Sequence, residues 1–215
     1  QSAVTAGSFG RHREQVSVSG GQGGLAMSGN FSYDSTDGYR ENNHYRATNA
    51  GGRLRYEPSE DLTLRLDYAY HSDVYGMPGA LSQTDYHTNR RSASNPDDNV
   101  QSDDSFISAG FESLAGDYGT LMAELSYRRM SAKADWASIP SKAENEIETL
   151  GFTPRFVYDR PFLSHSNTFI VGADLYRSDQ TYDNISAWGT TRDTIDRTSM
   201  GFYATNETEI FKNIF

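Results

Sequence analysis

DLTLRLDYAYHSD, residues 61–73, decides how the rest of the chain is read. Leu62, Leu64, Leu66, Tyr68 and Tyr70 alternate with Thr63, Arg65, Asp67 and Ala69, giving one apolar and one polar face. Alternation alone establishes a half-buried strand, which a soluble sandwich also has. Length and chemistry add to it. The run matches the roughly 9–11 residues that a tilted strand needs to cross a bilayer. Its two tyrosines close the apolar face where an aromatic girdle meets headgroups, and its charges suit a wet lumen. The stretch reads as one strand of a transmembrane β-barrel.

Composition agrees. Mean hydropathy is -0.70 and only 36% of residues are hydrophobic, yet 13% are aromatic, with 14 Tyr and 11 Phe. A barrel needs apolar residues only at alternate positions of its outer band, so low hydropathy with many aromatics is expected. No run of about 18 apolar residues occurs, which excludes a spanning helix and leaves a spanning barrel open. The net charge of -10 disfavours nucleic acid as a partner. Without cysteine there is no disulfide framework and no thiolate chemistry. The chain opens on Gln1 with no signal-like segment, and we expect it to be a piece of something longer.

Working outward, further alternating segments cover residues 1–9, 15–20, 25–33 and 45–56. Beyond residue 104 the apolar sets are Ile107, Ala109 and Phe111, then Leu121, Ala123, Leu125 and Tyr127. Leu150, Phe152, Phe156 and Tyr158 follow, then Phe169, Val171, Ala173 and Leu175, and finally Met200, Phe202 and Ala204 ahead of residues 208–215. Pro154 has no N–H to give a ladder, so it predicts a bulge or an edge position. No segment carries a sustained helical stripe. Short turns are predicted at 20–24, 57–60, 113–119 and 159–167, and long polar links at 34–44, 74–104, 131–146 and 179–193. Short connections at one end and long ones at the other fit a meander with periplasmic turns and extracellular loops. The expected fold is all-β, an antiparallel up-and-down meander of about ten strands. It would be an open segment of a large transmembrane β-barrel, with residues 1–215 as one domain.

Four stretches then resemble a known family. GSFG (residues 7–10), VSVSGG (16–21), SYDSTDGYREN (32–42) and YEPSEDLTLRLDYAYHSDVYGMPGAL (56–81) are similar to the early barrel strands of TonB-dependent outer-membrane receptors. Their iron-complex and cobalamin branch is the nearest in style. DGYREN and YGMPGAL are the most specific pieces. The resemblance implies a bacterial outer-membrane receptor in which a large barrel encloses a plug and uses the TonB complex to take up a scarce ligand, such as a ferric siderophore. Neither plug nor TonB box is identifiable in this chain, and about ten strands are roughly half the family's barrel. The implied partners are outer-membrane lipid and lipopolysaccharide, a small metal chelate, and TonB through the missing plug. A passive porin or structural barrel is the alternative.

Candidate ligand contacts lie in the polar links. Tyr75 opens the longest of them, Arg90 and Arg91 could receive an anionic chelate or a lipopolysaccharide phosphate, and Trp136 and Trp188 could stack on a ligand or anchor packing. Asp97, Asp98, Asp103 and Asp104 offer hard oxygens that suit calcium, against the plainer reading of a solvated acidic loop. His12, His44, His71, His87 and His165 are dispersed, without metal-site spacing, and no nucleophile elbow occurs. No cofactor, no catalytic residue and no enzymatic activity are expected.

Overall fold

The structure, a computed structural model, describes residues 1–161 and 165–209. It is a single ten-stranded antiparallel sheet in which every strand pairs with its neighbours in sequence. The strands are β1 (Ser2–Ala6), β2 (His12–Gln22), β3 (Leu25–Thr36), β4 (Tyr45–Ser59) and β5 (Leu62–Gly76). They continue as β6 (Asn99–Leu114), β7 (Thr120–Trp136), β8 (Ser141–Asp159), β9 (Asn167–Ser186) and β10 (Gly189–Thr208). A short helix, α1 (Gln83–Thr88), lies between β5 and β6. The sheet is open, with β1 and β10 at opposite edges. Residues 210–215, which include most of the expected final segment, lie outside the described residues.

The two faces are set by register. Met27, Leu54, Leu66, Ala109, Leu125, Phe152, Leu175 and Met200 stand opposite one another on eight successive strands, forming one apolar row. One residue along, Arg53, Asp67, Ser108, Ser126, Gly151 and Tyr176 form a polar row on the other face. Because the side-chain period is two, a slip of one residue would exchange the rows. The polar face carries its own ion pairs, Arg53–Asp67 at 2.5 Å and Arg65–Glu112 at 3.6 Å. Among the described residues nothing covers the apolar face. Leu125 is 52% and Met200 68% exposed, and Ala47 is the one buried apolar side chain among the described residues.

Two expectations are corrected. The polar links at 131–146 and 179–193 are mostly strand: β7 and β8 are joined by residues 137–140, and β9 and β10 by 187–188. Of residues 74–104 only 77–98 link strands, and of 34–44 only 37–44. Beyond the apolar band both faces of a strand are polar, so the alternation that marks a strand in sequence disappears. The backbone ladder continues through these overhangs, and exposed charge pairs across it add to it. Lys133 faces Glu144 at 2.7 Å, Lys142 faces Asp135 at 2.6 Å and Arg192 faces Asp183 at 3.1 Å, and Arg129 pairs with Glu146. The other correction is Pro154. It sits inside β8 with no bulge: Phe152 pairs with Leu175 and Arg155 with Gly172, in one register. The ladder toward β9 lapses for two residues and resumes. The irregular register lies between Tyr56 and Ser59, around the other strand proline, Pro58.

The opposite end of the sheet is trimmed. Gln22 pairs with Leu25 around Gly23 and Gly24, whose φ values of 58° and 81° are cheap only for glycine. The 37–44 and 77–98 links and the overhanging ends of β7 to β10 therefore gather at the other end.

Candidate ligand-binding rim

At that end four connections are joined into one folded cap. Residues 77–98 form a strap closed at its base, where the Met77 N–H donates to the Asp98 carbonyl at 2.9 Å. Ser82 caps α1, its hydroxyl oxygen accepting from the Asp85 N–H at 3.0 Å. Residues 37–44, between β3 and β4, clasp the strap. Arg40 donates to the carbonyls of Gly79 at 2.7 Å, Ser92 at 3.1 Å and Pro78 at 3.3 Å. Asn42 Nδ2 donates to the carbonyls of Asn95 and Asp98, both at 2.7 Å. Gly76 packs so closely on Asn42 that a Cβ would collide with it. The two most specific pieces of the sequence resemblance, DGYREN and YGMPGAL, are thus bonded to each other.

The strap is tied at both sides. Asp98 is 1% exposed; its carboxylate accepts from the Ser138 N–H at 2.8 Å, the Ser138 hydroxyl at 2.6 Å and Asn95 Nδ2 at 2.8 Å. The side-chain and backbone bonds from Ser138 hold this carboxyl below its ordinary range. Toward β1 and β2, the Asp37 N–H and the Thr36 hydroxyl donate to the Phe9 carbonyl at 2.9 and 3.0 Å. The Phe9 and Tyr39 rings meet edge to face at 5.5 Å.

The sequence candidates fall unevenly on this rim. Arg90 and Arg91 lie on the exposed crest of the strap. The Arg90 guanidinium stacks 4.4 Å from the centre of the Tyr86 ring and that of Arg91 lies 5.4 Å from the Tyr39 ring. Tyr75 is the penultimate residue of β5, opposite Tyr45 and Val100. Trp136 ends β7 and is half-buried opposite Ser141. Trp188, 89% exposed, tips the β9–β10 hairpin. Arg90 and Arg91 share the strap, Tyr75 lies in β5 just ahead of it, and the tryptophans are on two other hairpins.

The four aspartates do not converge. Asp98 is engaged as above, and Asp97 is exposed. Asp103 accepts from the Tyr70 hydroxyl at 3.2 Å, while Asp104, on the opposite face, accepts from Arg128 Nε at 2.9 Å. Among the described residues no group of three His, Cys, Asp or Glu is placed to hold a metal ion. Sequence reasoning missed Arg40, Asn42 and Ser138. Arg40 and Asn42 bond backbone carbonyls, which leaves no pairing of residue types to find, and Ser138 meets the Asp98 carboxylate from 40 positions away.

No protein-family model matches the sequence, and no curated protein is significantly similar to it. Solved structures are similar in fold. The ferric citrate transporter FecA in its unliganded form superposes with a TM-score of 0.76 at 16% identity, over 96% of this chain and 34% of that one. The ferripyoverdine receptor of the outer membrane of Pseudomonas aeruginosa, bound to ferripyoverdine, gives 0.76 at 15%, over 97% and 34%. The ferric-catecholate import receptor Fiu from E. coli K12, in its open form, gives 0.75 at 14%, over 97% and 42%. The chain thus spans between about a third and two fifths of the length of these receptors. By name these are a transporter and two receptors, and this chain has the fold of a ten-strand segment of those structures.

Proposed function

We propose that this chain forms part of the wall of an outer-membrane receptor that takes up a scarce small ligand, a ferric siderophore or another metal chelate, with energy from the TonB complex. Residues 1–215 act as one barrel domain, with the apolar row in lipid, the overhanging strands among lipopolysaccharide, and the polar face toward a plug. The observation that carries this reading is the uncovered apolar row backed by a polar row across the sheet, together with the likeness to the solved receptors. A passive porin has the same two faces. The bonded cap favours the receptor, because a rim that must recognise a ligand needs its loops held in place. Tyr75, Arg90, Arg91, Trp136 and Trp188 are the proposed ligand contacts.

The test uses cells carrying the full-length gene. Uptake of iron-labelled chelates should depend on that gene and vanish when TonB is deleted. Uptake that persists without TonB, or gene-dependent leakage of small sugars in place of chelate uptake, would establish the porin instead.

A further inference from the structure

The polar face of the sheet is not evenly filled. Three hollows lie on it, with volumes of about 500, 480 and 290 Å³. The first lies toward the strap, where Asn49, His71 and Asp104 stand above Gly51 and Ala69. The second shares Asn30, Gly51, Ala69 and Phe106 with the first and reaches Ser108 and Glu124. The third shares Glu124 with the second and runs past Gly110 and Thr153 to Arg155 and Tyr203. Shared walls make them one lane. In register it steps down from His71 and Asp104 through Ala69 and Phe106, then Asp67 and Ser108, to Arg65 and Gly110. It thus runs from the strap toward the end with the short turns, drifting from β4 toward β9 as it goes.

Small residues make the floor, and open space above them makes the lane. Glycine alone does not leave a hollow: Gly151 lies under the Tyr176 ring and Gly172 under that of Tyr203. At Gly110 an added Cβ would first meet the Ala123 carbonyl of the next strand, at 3.1 Å, with no ring among its nearest neighbours. The walls carry both signs of charge. Asp104 accepts from Arg128 Nε at 2.9 Å, and Asp67 from Arg53 Nε at 2.5 Å. Farther down, Glu124, Arg155 and Asp174 face the third hollow and, among the described residues, none of them has an ion pair. Uncompensated charge beside a hollow of this size keeps it hydrated. Because carboxylates and cations alternate along the way, a charged solute finds contacts at every step and no deep trap.

We propose that this lane is the route by which a small hydrophilic solute crosses the receptor, along its inner wall. The proposal rests on the uptake reading and adds the sector of wall beside which the passage opens. Recognition at the rim needs firm contacts; transit needs weak ones, and paired and alternating charges supply those. Permanent filling of the hollows by side chains of a plug is the competing arrangement, and the test exposes it.

Cells make the full-length protein with a single cysteine, Ala69→Cys or Thr153→Cys in the lane, Ser19→Cys or Ser178→Cys beside it. Both controls match the lane in depth, Ser19 standing in register with Arg53 through Ser28, and Ser178 with Ala69 through Phe106, Arg128 and Thr149. A small cationic methanethiosulfonate is added from outside, together with ferric citrate, a ferric tris-catecholate and a ferric trihydroxamate. In energised cells the lane cysteines should react at least about tenfold faster than those beside it. Ala69→Trp should slow labelling of Thr153→Cys about tenfold by narrowing the lane, and Ser178→Trp should leave it unchanged. Labelling of Asn89→Cys from outside confirms that each variant is folded. Equal rates at all positions, faster reaction beside the lane, unreactive lane cysteines, or an Ala69→Trp change without effect would overturn the proposal. TonB-dependent uptake of a chelate alongside any of these results would leave the receptor standing and end this inference. Selective labelling of the lane that is identical in TonB-deleted cells would do the reverse, keeping the route and ending energised uptake.

Discussion

At the scale of single residues, the most consequential side chain is Asp98, a buried carboxylate meeting three donors from two connections. Asp98→Ala leaves Ser138 and Asn95 without their acceptor and releases the strap from the β7–β8 hairpin. Amide exchange over 77–98 should then quicken by about tenfold or more, while the band of β5 and β6 is unaffected. Uniform quickening would show that Asp98 supports the whole sheet instead. Acid should imitate the substitution. The folded carboxyl titrates below its unfolded value, so its contribution is complete above the unfolded value and is lost as pH falls through the folded one. The strap of the wild-type protein should therefore loosen only below about pH 4, and the Asp98→Ala strap should lack that transition. Neighbours on one strand should differ just as sharply. In a bilayer Leu64→Arg should cost about 2–4 kcal/mol if it lies near the midplane. Arg65→Leu gives up only a half-exposed pair with Glu112 at 3.6 Å, worth about 0–1 kcal/mol. Equal losses in chemical denaturation would refute the assignment of faces.

At the scale of elements, the ends of the sheet differ in kind, and labelling can read that difference. In cells making the full-length protein, single cysteines at Gln22, Ser59 and Asp117 should react only from the periplasm. Those at Asn43, Asn89, Ser141 and Thr190 should react from outside; a mixed pattern within either set would end the meander reading. A further position suited to the periplasmic set, Ser164, lies outside the described residues. β5 was legible because it lies largely within the apolar band, where one face must be greasy and the other wet. The far halves of β7, β8, β9 and β10 were not, because a strand wetted on both faces has the composition of a loop. Lys133 and Glu144 look like loop charges until register sets them opposite each other. Pro154 misleads in the other direction: it predicts a bulge or an edge position, yet it keeps its place opposite Ala123 and only the ladder toward β9 skips it. At the rim, Arg90 and Arg91 could be singled out by charge, but nothing in the sequence ties Arg40 to the Gly79 carbonyl 39 positions away.

At the scale of the whole molecule, the sheet exposes 14515 Å². A compact monomer of 23.9 kDa exposes roughly 9,900 Å². The excess is the uncovered apolar face, the polar face and two open edges, one of them the 20-residue β10. Residues 1–215 expressed alone should aggregate or need detergent, since uncovered rows and unpaired edges both recruit other chains. A monodisperse, detergent-free monomer with a cooperative melt would overturn this and revive a soluble β-sandwich. The neighbour-only order of the strands has a different kind of consequence. Since no strand reaches past the next, the hairpin is the unit in which such a wall grows. Removing β7 and β8 together would bring β9 beside β6 in the same antiparallel sense. Ala109 would then meet Leu175, and inside would remain inside. Removing one strand alone would reverse the direction of everything after it. A lineage building on this plan can therefore change the circumference of its wall only by twos, and can do so by duplicating or losing a short stretch of gene without redesigning the strands it keeps.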